Sequence, residues 1–209
     1  MQRIHTEHDA MKLIILTKPN FFVEEDKILE TLFEEGLESL HLCKPNTSPL
    51  YSERLLSLLP NENYKKIFVH HHYYLKNEYS LGGIHIDDEK EEKPKGYHGK
   101  VGRTCHNLAD LKATKKQSDF VFLGNIFASE TNNATFTQDE LKQASKKGLI
   151  DKHVYAAGGV TIDNISIAKD LGFGGVVVCD DLWNRFDIHQ ENDFKELLSY
   201  FEKIRKATN

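Results

Sequence analysis

The chain has 209 residues, a length typical of one ordinary domain or one closed α/β barrel. Hydrophobic residues make up 39% of it, and no apolar run approaches the roughly 18 residues that cross a bilayer, which argues against a membrane protein. The formal net charge of −5 provides no basic field, so we expect no nucleic-acid partner.

The first predicted strand covers residues 13–17, and what precedes it is polar and aperiodic. We expect residues 1–10 to be a poorly ordered extension and residues 11–209 to form a single domain. Three cysteines without a CxxC pair, and an opening without the apolar core of a signal peptide, predict a cytoplasmic protein without disulfides.

Strand-like and helical patterns then alternate along the chain. After the first strand, Ile28, Leu29 and Leu32 share one helical face. The same couplet recurs, and the other seven apolar runs are SLHL, KIFVH, GGIHI, KVGRT, FVFLG, VYAA and GVVVC. Eight short strands with helical connections predict a closed, parallel (β/α)8 TIM barrel, with a doubly wound open sheet as the alternative.

The fourth unit is irregular. Residues 87–99, DDEKEEKPKGYHG, combine many charges with Pro94 and two glycines. This composition predicts a solvated loop in place of a packed helix.

Active sites of parallel barrels lie at the carboxyl ends of the strands, so the residues that follow each strand are the candidates. We expect His41, His70, Thr104 and His106 to line this mouth, where imidazoles and a hydroxyl can bind ligand. Two simpler interpretations stay open: His106 caps the next helix, and Thr104 is an ordinary β-branched strand residue. The histidines and the three cysteines also leave a zinc site open, although no usual ligand spacing occurs.

Glycines after the seventh strand and a helix start after the eighth predict a phosphate site. Gly158 and Gly159 let the backbone approach a ligand, and Cys179 and Asp180 begin a segment with free N–H groups. Barrels commonly bind phosphate after these two strands. A tight turn alone would also explain the glycines, and the Asp180 carboxylate opposes a phosphate because it would itself cap those amides.

Several strand motifs together resemble the thiamine phosphate synthase superfamily, which includes the thiazole tautomerases. They are GIHI, VGRTCH, DFVFLGNIFASET, AAGGVTIDN and GFGGVVV, in that order, and the resemblance covers nearly the whole chain after Met11. It implies a phosphate-binding TIM barrel, a cytoplasmic thiamine-biosynthesis enzyme and a phosphorylated thiazole ligand, and it leaves a homodimer open. It also implies that Ser129 and Thr131 contact the substrate.

The chain departs from the synthase pattern where cations are expected. A lysine of the strand-six loop is replaced by Asn132, and the strand-three triplet Asn-Asp-Arg becomes His70-His71-His72. The strand-two pattern Gln-Leu-Arg-x-Lys becomes residues 41–45, HLCKP. A synthase needs magnesium and cations to screen the departing pyrophosphate, and Asp87 or Asp88 could supply one ligand, Asp88 being the metal residue if the synthase interpretation holds.

The resemblance therefore leads to three hypotheses. The first is a thiazole tautomerase without a cofactor, in which His106 transfers the proton. The second is thiamine phosphate synthase, which joins hydroxymethylpyrimidine diphosphate to thiazole phosphate with Mg²⁺. The third is a non-catalytic barrel that binds a thiamine-related ligand.

Overall fold

Eight strands form one parallel sheet that closes on itself. The computed structural model of the protein describes residues 10–130, 132–185 and 191–209. The strands are β1 Lys12–Leu16, β2 Ser39–Leu42, β3 Ile67–Val69, β4 Gly83–Ile86, β5 Lys100–Cys105, β6 Phe120–Leu123, β7 Val154–Ala156 and β8 Gly175–Val178. Each strand pairs with its neighbours in sequence, and β8 pairs with β1 to close the barrel. The predicted (β/α)8 barrel is confirmed, and the open sheet is wrong.

Helices connect the strands and cover the outside of the barrel. They are α1 Glu25–Glu34, α2 Pro49–Leu58, α3 Leu75–Glu78, α4 Leu111–Lys116, α5 Gln138–Lys146, α6 Ile165–Asp170, α7 Asp180–Trp183 and α8 Glu191–Thr208, with a 3₁₀ helix at Asn61–Lys66. Among the described residues, β4 and β5 are joined without a helix, as the composition of that loop predicts. No helix in the described ranges is long and apolar enough to cross a membrane.

The strands bury both faces, as parallel strands between a barrel core and a helical layer must. Leu197, Phe201 and Ile204 of the last helix, α8, are fully buried in the outer hydrophobic core. The expected extension falls mainly on residues 1–9, which lie outside the described residues, and the division at residue 11 stays a prediction.

Aromatic rings fill the centre of the barrel. Phe120 lies at their middle, with its ring centroid 5.3 Å from Phe68, 5.7 Å from Phe122 and 5.4 Å from Tyr155. Glycines on β4 and β5 make room for these rings, because a Cβ at Gly102 would stand 2.4 Å from the Phe120 ring. The interior is therefore a packed aromatic core, and the polar site lies above and beside it.

Candidate active site

The polar site is built from inward-facing residues of four consecutive strands and the turns after them. His41 is on β2, His70 follows β3, His85 and Asp87 belong to β4 and its end, and Thr104 is on β5. Because side chains alternate between the two faces of a strand, these residues all point into the barrel on its carboxyl-terminal side.

A continuous chain of hydrogen bonds joins these five side chains. Nδ1 of His41 lies 2.9 Å from Nε2 of His70, and Nδ1 of His70 lies 2.8 Å from Oδ2 of Asp87. The Thr104 hydroxyl lies 3.0 Å from Oδ1 of Asp87 and 2.9 Å from Nε2 of His85. Asp87 is thus the centre of the chain, with one histidine branch on each carboxylate oxygen.

The chemistry of the donors fixes the direction of the Asp87–His85 branch. The ionised Asp87 carboxylate only accepts, so Thr104 donates its hydroxyl proton to Asp87 and accepts the Nε2–H of His85. Nδ1 of His85 is then a bare acceptor, buried without a partner among the described residues. A Cβ at Gly102 would approach this atom to 2.4 Å, so the backbone of β5 closes over it.

One protonated imidazole is favoured in the chain, and it is His70. Burial lowers the pKa of His70, but the hydrogen bonds and negative charges of Asp87 and Cys43 together outweigh burial and raise this pKa to about 9. Burial would raise the pKa of Asp87, yet the bond from His70 holds it below its usual value. Burial, reinforced by the charge of His70, keeps the pKa values of His41 and His85 well below normal.

Exposure separates the residues that a ligand can touch from those that support them. His41 and His85 are fully buried and His70 is 3% exposed, whereas 44% of the Asp87 side chain is exposed. The His41 ring stacks on Phe68 with centroids 5.0 Å apart. The expectation that His41 lines the mouth is therefore corrected: it lies beneath the mouth and supports His70.

His106 lies at the rim of the mouth. It directly follows β5 and is exposed, and its backbone N–H donates to the Glu89 carboxylate at 2.9 Å. Its ring lies against Gly124 at the end of β6, where a Cβ would stand 2.7 Å from Nδ1 of His106. The imidazole is therefore accessible, two residues beyond Thr104 on the same strand face.

The loop after β6 holds the two residues expected to bind substrate through the family resemblance. The Ser129 hydroxyl accepts the backbone N–H of Asn132 at 3.1 Å, so this side chain helps to shape the loop. Thr131 lies outside the described residues. Both assignments stay predictions.

The expected phosphate cradle has the left-handed backbone that its glycines permit. Gly158 and Gly159 have φ values of 84° and 63°. Their lack of a side chain also lets the β6 and β7 loops touch, because a Cβ at Gly159 would stand 2.4 Å from the carbonyl oxygen of Phe127. Close packing of two loops therefore accounts for this glycine pair, and phosphate binding there stays a prediction.

The carboxylate that contacts the loop after β7 belongs to Asp181 and not to Asp180. Asp181 accepts the backbone N–H of Ile162 at 3.1 Å and the Tyr200 hydroxyl at 2.7 Å, while Asp180 is exposed. Cys179, the residue before α7, interacts with the Thr17 carbonyl oxygen at 3.7 Å. The single turn of α7 is thus fixed by Asp181, one residue beyond the predicted position.

A buried ion pair beside the mouth was missed by the sequence analysis. Nζ of Lys44, just after β2, lies 2.5 Å from Oε1 of Glu25 and 3.0 Å from the Asn20 carbonyl oxygen. The sequence did contain a signal for a buried carboxylate. Glu25 precedes Ile28 and Leu29 by three and four residues, so it lies on the same buried face of α1. Lys44 is committed to this pair and does not extend into the mouth as a free cation.

The converging side chains that the structure describes at the mouth offer only one carboxylate to the magnesium that a synthase would use. Two groups of three ligand-type side chains converge among the described residues, His41 with His70 and His85, and Cys43 with His70 and Asp87. Mg²⁺ prefers oxygen ligands in an octahedron, and these groups supply one carboxylate between them. Asp88, the predicted metal residue, is exposed and accepts the backbone N–H of Lys90 within its own loop.

Comparisons with known proteins agree with this barrel fold. The family model described as thiamine monophosphate synthase matches residues 28–182. The thiamine-phosphate synthase of Serratia proteamaculans is 24% identical over 121 residues, which cover 54% of this chain and only 57% of that protein's length.

Two solved structures share the whole fold. A structure described as thiamine phosphate pyrophosphorylase from Bacteroides thetaiotaomicron is 44% identical, with a TM-score of 0.85 over 94% of this chain and 97% of that one. A Pyrococcus furiosus structure with the same description is 18% identical, with a TM-score of 0.73 over 96% of each chain, and supports the fold alone. On the family match and the 44% identical structure, the chain belongs to the thiamine monophosphate synthase family of enzymes.

Proposed function

We propose that this protein is a thiazole tautomerase of thiamine biosynthesis, which aromatises hydroxyethylthiazole carboxylate phosphate. The observation that carries the proposal is the composition of the hydrogen-bonded cluster at the mouth: its one imidazolium, His70, is paired with the Asp87 carboxylate, so the cluster offers no unpaired cation to a departing diphosphate. Proton transfer between two atoms of a ring expels no leaving group, so it needs acid and base groups only.

His106 is the proposed proton-transfer residue. Its ring is accessible at the rim, and imidazole is the side chain best suited to both accepting and donating a proton in the neutral pH range. It would remove a proton from the tetrahedral ring carbon of the non-aromatic tautomer, and a proton would be returned at the other end of the conjugated system, which leaves the ring aromatic. Asp87, the exposed member of the hydrogen-bond chain, would face the same ligand and fix its orientation.

Ligand binding would use the remaining predicted contacts. The phosphate would lie on the amides around Gly158, Gly159 and Cys179, and Ser129 and Thr131 would contact the thiazole side. We expect this chemistry to require no cofactor and to take place in the cytoplasm without a nucleic-acid partner, and a homodimer stays open.

Thiamine phosphate synthase is the second candidate, because the Serratia proteamaculans and Bacteroides thetaiotaomicron relatives are described by that activity. It would require Mg²⁺ and a pyrimidine diphosphate. The side chains at the mouth make the synthase hypothesis less favourable. Asp87 is the one carboxylate among the converging groups, and Lys44 is paired with Glu25.

One assay separates these hypotheses. The purified protein is incubated with the non-aromatic thiazole carboxylate phosphate, with and without hydroxymethylpyrimidine diphosphate and Mg²⁺, and the products are identified by mass and absorbance. We expect the aromatic isomer in both mixtures and little or no thiamine phosphate. Robust magnesium-dependent thiamine phosphate formation would overturn the proposal, and tight binding without any product would identify a non-catalytic ligand-binding barrel.

A further inference from the structure

We propose that Cys43, His70 and Asp87 bind a zinc-class divalent cation at the mouth of the barrel, with His71 as a fourth ligand. The sulfur, nitrogen and oxygen ligand atoms of the first three residues all lie within 4.8 Å of one another. This site shares Asp87 with the ligand-orienting role proposed above, but it does not include His106, the proposed proton-transfer residue.

The spacing of the donors is close to that of a tetrahedral site. Bond lengths near 2.3 Å to sulfur and 2.0 Å to nitrogen place those two ligands about 3.5 Å apart on the ion. Sγ of Cys43 and Nε2 of His71 are 3.9 Å apart. The Asp87 oxygen, now 2.8 Å from Nδ1 of His70, would move outward by roughly half an ångström, because two such ligands stand about 3.4 Å apart on zinc.

His70 is already oriented as a metal ligand. Its Nε2–H can donate to Nδ1 of His41, and its Nδ1 carries the proton of the bond to Asp87 in the metal-free protein, so an ion would bind Nδ1 with release of that proton. Metal-binding histidines usually donate their other N–H to a fixed acceptor, which sets the tautomer and the direction of the ring. The stacking of His41 on Phe68 holds that acceptor in place.

The other group of three histidines is the weaker candidate. The rings of His70 and His85 are stacked, with centroids 4.3 Å apart and an 18° angle between their planes. Nitrogen lone pairs lie in the ring planes, so two nearly parallel rings cannot both direct them at one ion. The group of Cys43, His70 and Asp87 does not meet this difficulty, because it contains a single imidazole and its residues follow three different strands.

Donor chemistry and access select the kind of ion. A thiolate and imidazoles favour zinc and similar transition metals, whereas magnesium and calcium prefer oxygen ligands. Cys43 and His71 are half-buried and the Asp87 side chain is 44% exposed, so an ion can enter from the mouth. Among the described residues, this is the group that joins a thiol to a histidine and a carboxylate.

Cobalt binding to the substrate-free protein tests the proposal. Co²⁺ titrated into the reduced, metal-free protein should give one equivalent of tetrahedral absorption together with a thiolate charge-transfer band, and Zn²⁺ should displace it. Cys43→Ser should abolish the charge-transfer band, and His71→Asn should weaken binding by at least about 10-fold. Cys105→Ser is the matched control, because that thiol is buried outside the mouth and should leave the spectrum unchanged.

Several results would overturn the site. They are the absence of a charge-transfer band in the wild-type protein, a band that survives Cys43→Ser, and a band lost in Cys179→Ser but not in Cys43→Ser. Circular dichroism of each metal-free variant shows that it is folded before its spectrum is compared. Failure of the tautomerase assay leaves these spectra unaffected, so the two proposals fail separately.

Discussion

Lys44 and Glu25 are almost completely removed from water, with 1% and 2% of their side chains exposed. Burial lowers the pKa of Lys44 and raises that of Glu25, and the attraction between the two opposes both changes. The ammonium also lies 4.4 Å from the centroid of the Phe21 ring. The pair therefore joins the start of α1 to the end of β2, and either charge alone would be strongly unfavourable there.

We predict that Lys44→Met destabilises the protein by about 3–5 kcal/mol, because it leaves the Glu25 charge buried without a partner. The double variant Glu25→Leu/Lys44→Met should recover most of that loss, since it removes both desolvation costs. Urea unfolding of the three proteins measures the free energies. Equal destabilisation in the single and double variants would show that packing of Lys44, and not charge pairing, maintains this corner.

His106 is exposed at the rim, so its replacement should act on chemistry more than on folding. We predict that His106→Asn lowers the kcat of tautomerisation by about 10²–10⁴-fold, the usual contribution of a positioned acid or base, with little change in ligand affinity. Steady-state rates and a direct binding measurement check the two halves of this prediction. Near-wild-type turnover in this variant, with a large loss in His70→Gln, would transfer the role to His70.

At the scale of elements, the loops after β6 and β7 form one unit at the mouth. Phe127 N–H donates to the Gly158 carbonyl oxygen at 3.1 Å, and the Asn164 side chain donates to the Gly159 carbonyl oxygen at 2.8 Å. Asn125 also adopts a left-handed conformation, with φ 54°. The two loops therefore hold each other in shape and are expected to respond together to substitution.

Gly159→Ala should destabilise the protein by more than the roughly 1 kcal/mol of an unfavourable φ, because the new Cβ would meet the Phe127 carbonyl oxygen at 2.4 Å. Gly148→Ala is the matched control: its φ of 69° is similar, and nothing lies within 4 Å of the added atom. Thermal unfolding compares the two. Equal losses of stability would mean that the loops separate easily to accept the methyl group.

At the scale of the whole molecule, buried histidines make stability depend on pH in both directions. The pKa of His70 is raised in the folded state to about 9, so its contribution is complete below its ordinary pKa near 6.5 and is lost as the pH rises through 9. The lowered pKa values of His41 and His85 act in the opposite direction, and their contribution is lost as the pH falls below 6.5.

We therefore predict that the free energy of unfolding is largest near neutral pH and falls by up to about 3 kcal/mol between pH 6.5 and pH 9. Denaturant unfolding at a series of pH values provides the curve. His70→Gln should remove most of the alkaline slope whatever its effect on absolute stability, while His106→Asn should keep the slope. An unchanged slope in His70→Gln would assign it to other groups.

The barrel could be predicted from the sequence because its signals are local. Each strand is a short apolar run, and each helix carries its own periodicity, as Ile28 and Leu29 of α1 do. The hydrogen-bond chain could not be derived in this way, since His41 and His70 are 29 residues apart in sequence and meet only through the register of β2 on β3. The complete burial of His41 beneath the mouth could not be predicted for the same reason.

The aromatic centre of the barrel also limits the solvent access of the buried imidazoles. Phe120 and its aromatic neighbours fill the barrel below the polar site, and the half-exposed Asp87 carboxylate lies at the open end. His70, which is 3% exposed, is hydrogen-bonded to Asp87, and the fully buried His41 is hydrogen-bonded in turn to His70. A ligand that covers Asp87 would therefore separate both imidazoles from the surrounding water.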